Sequence, residues 1–158
     1  MDIENGLKTL VLNVGDKSVN CPDIIKWAEK WDWGVGEIVA KRLHSNAFKD
    51  WESIIALTNN EQYVGLCILE ITDEWGTDID PALTPFITAV YIDPQFRGQH
   101  LSAKLIGTAC DYAFSLGFDI VYLISGEHGL YEKFGFEIYT QTVTRLGTVE
   151  PVYRRYLG

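Results

Sequence analysis

The sequence predicts one mixed α/β domain, residues 1–158, built around a single sheet. Three observations lead there. Apolar strand-like runs recur along the chain, separated by amphipathic stretches with helical spacing. The centre reads strand, turn, helix, strand, which is the order of a layered α/β core. The 158 residues, 47% hydrophobic and 22% charged, fit one domain with a sizeable core.

Each element has its own justification. "LKTLVLNV" (7–14) is a first strand. Pro22 suits the first position of a helix, with Asn20 or Cys21 before it and Asp23 in the first turn. Ile24, Trp27, Ala28 and Trp31 share one face of that helix, and Gly34 ends it. A second helix at about 36–47 carries Ile38, Val39, Leu43 and Ala47. "SIIALT" (53–58) and "YVGLCILEIT" (63–72) are strands joined by the hairpin turn "NNEQ". After a polar loop at 73–84, "PFITAVYI" (85–92) is apolar throughout and predicts burial on both faces. Leu101, Leu105, Ile106, Ala109, Tyr112, Ala113 and Leu116 then mark an amphipathic helix, with Gly117 as its stop. "DIVYLIS" (119–125) is a buried strand, and "GLYEKFG" (129–135) is a short helix anchored by Leu130, Phe134 and Phe136. "FEIYTQTV" and "PVYRRYL" make a final antiparallel pair.

Charge and composition exclude several classes. The net charge is −9. The one dense basic cluster, Arg154-Arg155, reads as solvated charge on a strand face, so no nucleic-acid partner is expected. No apolar run is long enough to span a bilayer, and "MDIENGLKTL" is too acidic for a signal peptide. Cys21, Cys67 and Cys110 are far apart, which favours a reducing compartment over disulfides or a zinc site. A cytoplasmic protein with no membrane partner and no metal is the expectation.

The stretch "YIDPQFRGQHLSAKLI" carries the first chemical signal. Asp93-Pro94 stops the strand, and the chain must reverse before the helix begins. The first N–H groups of a helix lack partners inside it, and with the helix dipole they favour an anion. Gly98 permits close backbone approach and Arg97 adds a positive charge. A purely structural turn, with Arg97 paired to a surface acid, explains those two residues equally well. The second signal is "HGLYEKFGFEIY". A tyrosine hydroxyl at Tyr131 can protonate a thiolate, because the two groups have similar pKa values. Alone, Tyr131 reads as a half-buried packing aromatic.

Together, in this order, the two stretches resemble the GNAT superfamily of N-acetyltransferases, from about Phe86 to Tyr139. The resemblance implies a mostly antiparallel central sheet flanked by helices, with a splayed central strand pair. It implies acetyl-CoA as acetyl donor. The family's turn reads Arg/Gln-x-x-Gly-x-Gly/Ala. Here Arg97 matches, His100 stands at the first glycine position and Ser102 at the second. For histidine to fit, that residue should keep a negative φ. By resemblance, the backbone of Val90, Tyr91 and Ile92 holds the pantetheine arm. Arg97, Gly98, Gln99, His100, Leu101 and Ser102 hold the pyrophosphate. Tyr131 protonates the departing thiolate, and a strand N–H stabilises the oxyanion.

The implied activity is transfer of acetyl to a primary amine of a small molecule by direct attack in a ternary complex, and a cationic acceptor is left open. A protein or peptide N-acetyltransferase, or a non-catalytic acyl-CoA-binding regulatory module, is the alternative, and a homodimer is left open. The position of an acid in some members is Phe86 here. Other candidates for a base are Glu37, Glu70, Glu127 and His128, each of which also reads as ordinary solvated charge. Trp27 and Trp31 read as packing residues. Trp33 and Trp75 are the better pocket candidates, and Asp73, Glu74, Asp78 and Asp80 crowd one loop that could attract a cation.

Overall fold

The computed structural model describes residues 6–158. The strands in chain order are β1 (Leu7–Leu12), β2 (Ser53–Asn59), β3 (Gln62–Glu70), β4 (Phe86–Ile92), β5 (Ile120–Ile124), β6 (Glu137–Val143) and β7 (Val149–Tyr156). The helices are α1 (Pro22–Ala28), α2 (Val35–His44) and α3 (Leu101–Ser115). The strands hydrogen-bond in the order β1-β2-β3-β4-β5-β7-β6. β1 and β2 are antiparallel, as are β5 and β7 and β6 and β7, while β4 and β5 are parallel. The described residues gather into two compact units, one of residues 6–67 with 89–105, the other of 68–88 with 106–158.

In the first unit, β2 is buried along its whole length and pairs with β1 from Leu7↔Asn59 to Leu12↔Ile54. β2 and β3 are joined by Asn60 and Glu61, both at positive φ (50° and 71°), the signature of a two-residue hairpin turn. Gly65 on β3 is required by packing: a Cβ there would lie 2.7 Å from Ile92 Cδ1 and 2.9 Å from the Tyr91 carbonyl oxygen. The helices are shorter than periodicity predicts. α1 starts at Pro22 with Cys21 as N-cap, but ends at Ala28. Lys30 N–H then donates to Trp27 O and Trp31 N–H to Ala28 O, so the last turn tightens and keeps Trp31 inward. Gly34 therefore precedes α2 as its N-cap instead of stopping α1. α2 ends at His44 because Asn46 takes the left-handed conformation (φ 53°) and Ala47 N–H closes back on Arg42 O. Val39 and Ala40 face inward and Leu43 is half-buried, whereas Ile38 and Ala47 are exposed, so two of the four apolar residues read on this helix lie off its buried side.

In the second unit, β4 and β5 meet at Phe86↔Tyr122, and Tyr122 N–H donates to Pro85 O. Phe86, Tyr122 and Val152 form a core packed by Ile79, Leu83, Ile120 and Ile124. The loop at 73–83 is fastened to the β6–β7 hairpin: Thr77 N–H donates to Val143 O, Arg145 N–H to Trp75 O, and Gly76 bridges Thr144. Arg154 is not freely solvated as predicted. It pairs with Glu137 at 2.9 Å and lies over the rings of Tyr139 and Tyr156. Among the described residues, no helix is long and apolar enough to cross a membrane.

Candidate active site

The residues expected to hold the pyrophosphate form one continuous turn into α3. Asp93 caps it, its carboxylate accepting from Gln95 N–H at 3.1 Å. Pro94–Phe96 make one turn of 3₁₀ helix and fully buried Phe96 pins it. Arg97 is extended, Gly98 has φ 83°, and the helix begins at Leu101. Among the described residues, none accepts a hydrogen bond from the N–H of Gly98, Gln99 or His100. The first N–H groups of α3 add to that set.

His100 departs from expectation. Its φ is 59°, in the left-handed region, not negative. A non-glycine residue there costs about 1–2 kcal/mol, although histidine is among the side chains that enter it more often. The turn keeps a glycine-like backbone with an exposed imidazole upon it. His100→Gly is expected to raise the unfolding free energy by about 0.5–1 kcal/mol and to leave acetyl-CoA affinity undiminished. Denaturant unfolding and calorimetric titration check this. A large loss of affinity in His100→Gly and in His100→Ala would show that the imidazole itself binds.

Strand β4 carries a second departure. Burial on both faces was predicted, yet Thr88 to Val90 are only half-buried. Ala89 has φ 53°, which interrupts regular strand geometry and redirects the peptide groups around it. Of the three residues expected along the pantetheine arm, Val90 and Ile92 are half-buried and Tyr91 is buried. The Ile92 carbonyl already accepts from Arg97 Nε at 2.9 Å, and Asp93 N–H donates to Val64 O.

The Arg97 guanidinium has a partner that spacing could not reveal. It grips Asp32 at 2.9 and 3.1 Å through two nitrogens, and lies 5.5 Å from the centre of the Tyr91 ring. Tyr91 Oη donates to the same carboxylate at 2.9 Å. Burial, and then that bond, push the Tyr91 phenol up to about 12. The Arg97 bond first, and the Tyr91 bond second, hold the Asp32 carboxyl below the usual carboxylate range. Because the folded value is the depressed one, the pair is fully formed above the ordinary carboxylate pKa and is lost as pH falls through the depressed value. An NMR titration of the Asp32 carboxyl carbon is expected to give that low value, and a higher one in Arg97→Gln. An unchanged value would remove the guanidinium as its cause.

Around Tyr91 the aromatic side chains collect. Trp31 stacks on it at 4.0 Å, Trp33 lies nearly parallel at 6.4 Å, and Trp27 meets it edge-on while stacking with Tyr63. Trp31 is buried, as expected of a packing residue, and its indole N–H has no partner among the described residues. Trp33 is 42% exposed. These rings, Asp32, Arg97 and the turn all belong to the first unit.

Tyr131 belongs to the second unit. It opens a 3₁₀ turn, Tyr131–Phe134, closed by Gly135 at φ 86° with Phe136 N–H donating to Tyr131 O. Its half-buried ring rests among Phe134, Phe136 and Tyr153 at centroid distances of 6.0–6.2 Å. Only Phe136 of the three predicted anchors is buried; Leu130 and Phe134 are half-exposed.

A profile of the acetyltransferase (GNAT) family matches residues 23–136. The chain belongs to the GNAT family. No curated protein matches this GNAT chain. Solved structures do, at the level of fold. A GNAT family acetyltransferase from Elizabethkingia anophelis with acetyl-CoA bound has a TM-score of 0.64 at 15% identity, covering 98% of this chain and 100% of that one. An acyl-CoA N-acyltransferase from Pseudomonas aeruginosa scores 0.67 at 18% identity, over 94% and 99%. A spermidine/spermine N-acetyltransferase from Vibrio cholerae scores 0.64 at 16% identity, over 99% and 94%.

The candidate bases of this GNAT chain separate by burial. Glu37, Glu127 and His128 are exposed. Glu70 is 6% exposed, and the Thr88 hydroxyl donates to its carboxylate. The loop acids are mostly occupied locally. Asp73 accepts from Trp75 N–H, Asp80 from Ala82 N–H, and Asp78 from Thr142 and Val143. Trp75 is half-buried, and its indole N–H donates to a Glu150 carboxylate oxygen at 3.4 Å, which ties the loop to β7. Among the described residues, no group of three or more His, Cys, Asp or Glu side chains is placed to hold a metal.

Proposed function

We propose that this GNAT chain transfers the acetyl group of acetyl-CoA directly to a primary amine of a small molecule. The observation that carries the reading is the turn from Arg97 to Leu101. The backbone N–H groups of Gly98, Gln99 and His100 within it have no partners among the described residues, and Gly98 and His100 keep left-handed geometry. Such a turn at a helix N-terminus suits an anion, and a pyrophosphate is the anion this reading places there. Family membership supports acetyl-CoA as the donor. The solved spermidine/spermine N-acetyltransferase makes a small polyamine-like acceptor a reasonable class for this fold.

The chain's residues then divide the work. Val90 and Tyr91 hold the pantetheine arm with their backbone groups. The turn and the start of α3, to Ser102, hold the pyrophosphate. Glu70 acts as base through Thr88: the hydroxyl accepts a proton from the incoming ammonium as it passes its own to the carboxylate. The neutral amine attacks the thioester carbonyl, the C–S bond breaks, and Tyr131 gives its proton to the thiolate. A strand N–H beside the Ala89 irregularity steadies the oxyanion.

Thermal unfolding with and without acetyl-CoA tests the reading. At about one hundred times its Kd, the ligand stabilises by about 2.7 kcal/mol, a shift of several degrees. Thiol release across a panel of amines is expected to follow. A shift without thiol release would favour a binding module, and no shift at all would remove acetyl-CoA from the account.

A further inference from the structure

The segment that carries Tyr131 has little burial to order it. Every residue from Ile124 to Gly135 is exposed or half-buried. A stretch of that kind depends on hydrogen bonds to stay in one place. Some of these are local: Glu127 N–H donates to Ser125 Oγ and Gly129 N–H to Glu132 Oε2, at 3.0 and 2.9 Å. A tie to the sheet comes from Tyr153 on β7. That residue is fully buried, and its hydroxyl donates to Glu127 O at 3.0 Å. The Glu132 carboxylate faces the same hydroxyl: burial first, and then Glu132, push the Tyr153 phenol above its usual value. One phenol oxygen thus meets the segment on both sides of Tyr131, at Glu127 and at Glu132. The Tyr153 ring also lies beside the Tyr131 ring, at 6.0 Å. The segment and β7 belong to the same compact unit.

We propose that Tyr153 is a positioning residue for Tyr131: its buried hydroxyl fixes the segment from Glu127 to Glu132, and with it the place from which Tyr131 gives its proton. The proposal rests on the transferase reading, in which Tyr131 is the acid. Proton transfer needs the donor within hydrogen-bond reach of the sulfur, so a small displacement costs rate. Tyr153 prevents that displacement without touching substrate. Its strand is paired on both sides, with β5 and with β6. A side chain on a strand so held is a fixed reference point for an exposed segment. Tyr153 is itself a poor acid, because its pKa is raised and its proton is already given to the Glu127 carbonyl. Its contribution is geometric.

Tyr153→Phe tests this on the full chain, alone and combined with Tyr131→Phe, and thermal unfolding confirms that each variant is folded. The substitution removes one oxygen and keeps the ring beside Tyr131. Alone, it is expected to lower kcat about tenfold and to leave the KM for acetyl-CoA within about twofold. In the Tyr131→Phe background it is expected to change kcat by less than about twofold, because the group it positions is gone. Amide hydrogen exchange reads the segment directly. Gly129 N–H bonds to Glu132 and Phe136 N–H to Tyr131 O, and both are expected to exchange about tenfold faster in Tyr153→Phe. Native kcat in Tyr153→Phe, or the same tenfold loss with and without the Tyr131 hydroxyl, overturns the proposal. Should Tyr153→Phe fail to fold, Glu132→Ala cuts the tie from the exposed side and is read by the same kinetics and by exchange at Phe136. If the native chain releases no thiol, or Tyr131→Phe costs no rate, the transferase reading fails separately. Exchange then decides alone: a faster rate keeps Tyr153 as the anchor of this segment, and an unchanged rate removes it.

Discussion

Replacing Tyr131 with phenylalanine is expected to lower kcat about a hundredfold or more while acetyl-CoA affinity changes less than about twofold. The substitution removes one oxygen and leaves the ring. That ring's contacts with Phe134, Phe136 and Tyr153 are aromatic and survive the change. The turn around it is closed by backbone bonds and by Gly135, neither of which involves the hydroxyl. Thermal unfolding shows whether the segment holds in the variant, and a loss of rate in a variant of native stability reports proton delivery to the thiolate. Steady-state kinetics with thiol detection, beside calorimetric titration of acetyl-CoA, separates the two. Equal kcat in the two proteins would remove Tyr131 as the acid.

The second large effect is at Glu70. Glu70→Gln is expected to reduce kcat at neutral pH by about a hundredfold and to flatten the acid limb of the pH–rate profile. Glutamine keeps the length of the side chain and an oxygen that can accept from Thr88, so the hydrogen bond there survives. What disappears is a buried carboxylate able to take a proton. Thr88→Val is the companion: it keeps the carboxylate and deletes the hydroxyl between it and the amine. If Glu70→Gln keeps the native pH profile, the base lies elsewhere and Glu70 is a structural carboxylate.

Much of the scaffold was legible because its signals are local. Pro22, the Asp93-Pro94 break, Gly117 and Gly135 punctuate the chain where the structure turns. The helical spacing of the apolar residues along α3 matches the buried side of that helix at Leu101, Leu105, Ile106, Ala109 and Ala113. Of the candidate site, what was legible is local geometry: the turn after Pro94 that leads into α3 and the short helical turn that Tyr131 opens. The rest depends on tertiary relations. Arg97 and Asp32 are far apart in sequence, and nothing near Asp32 marks it as a partner. Ala89 and His100 adopt left-handed backbone that their side chains do not advertise. Trp31 kept its predicted inward face although α1 stopped short of it, because a tighter last turn did the same work.

The hairpin between β2 and β3 has a consequence for how the chain reaches its fold. Its two turn residues are Asn60 and Glu61, and only the first has a ready local preference for positive φ. A glutamate at 71° gives the turn little intrinsic drive to close. Register must come from what the strands bury, and β2 is buried from end to end. Those burials bring together segments distant along the chain, such as Leu7 and Asn59. The β1–β2 pairing is thus expected to form late in folding, after α3, and substitutions in α3 that slow folding more than those in β1 would check it.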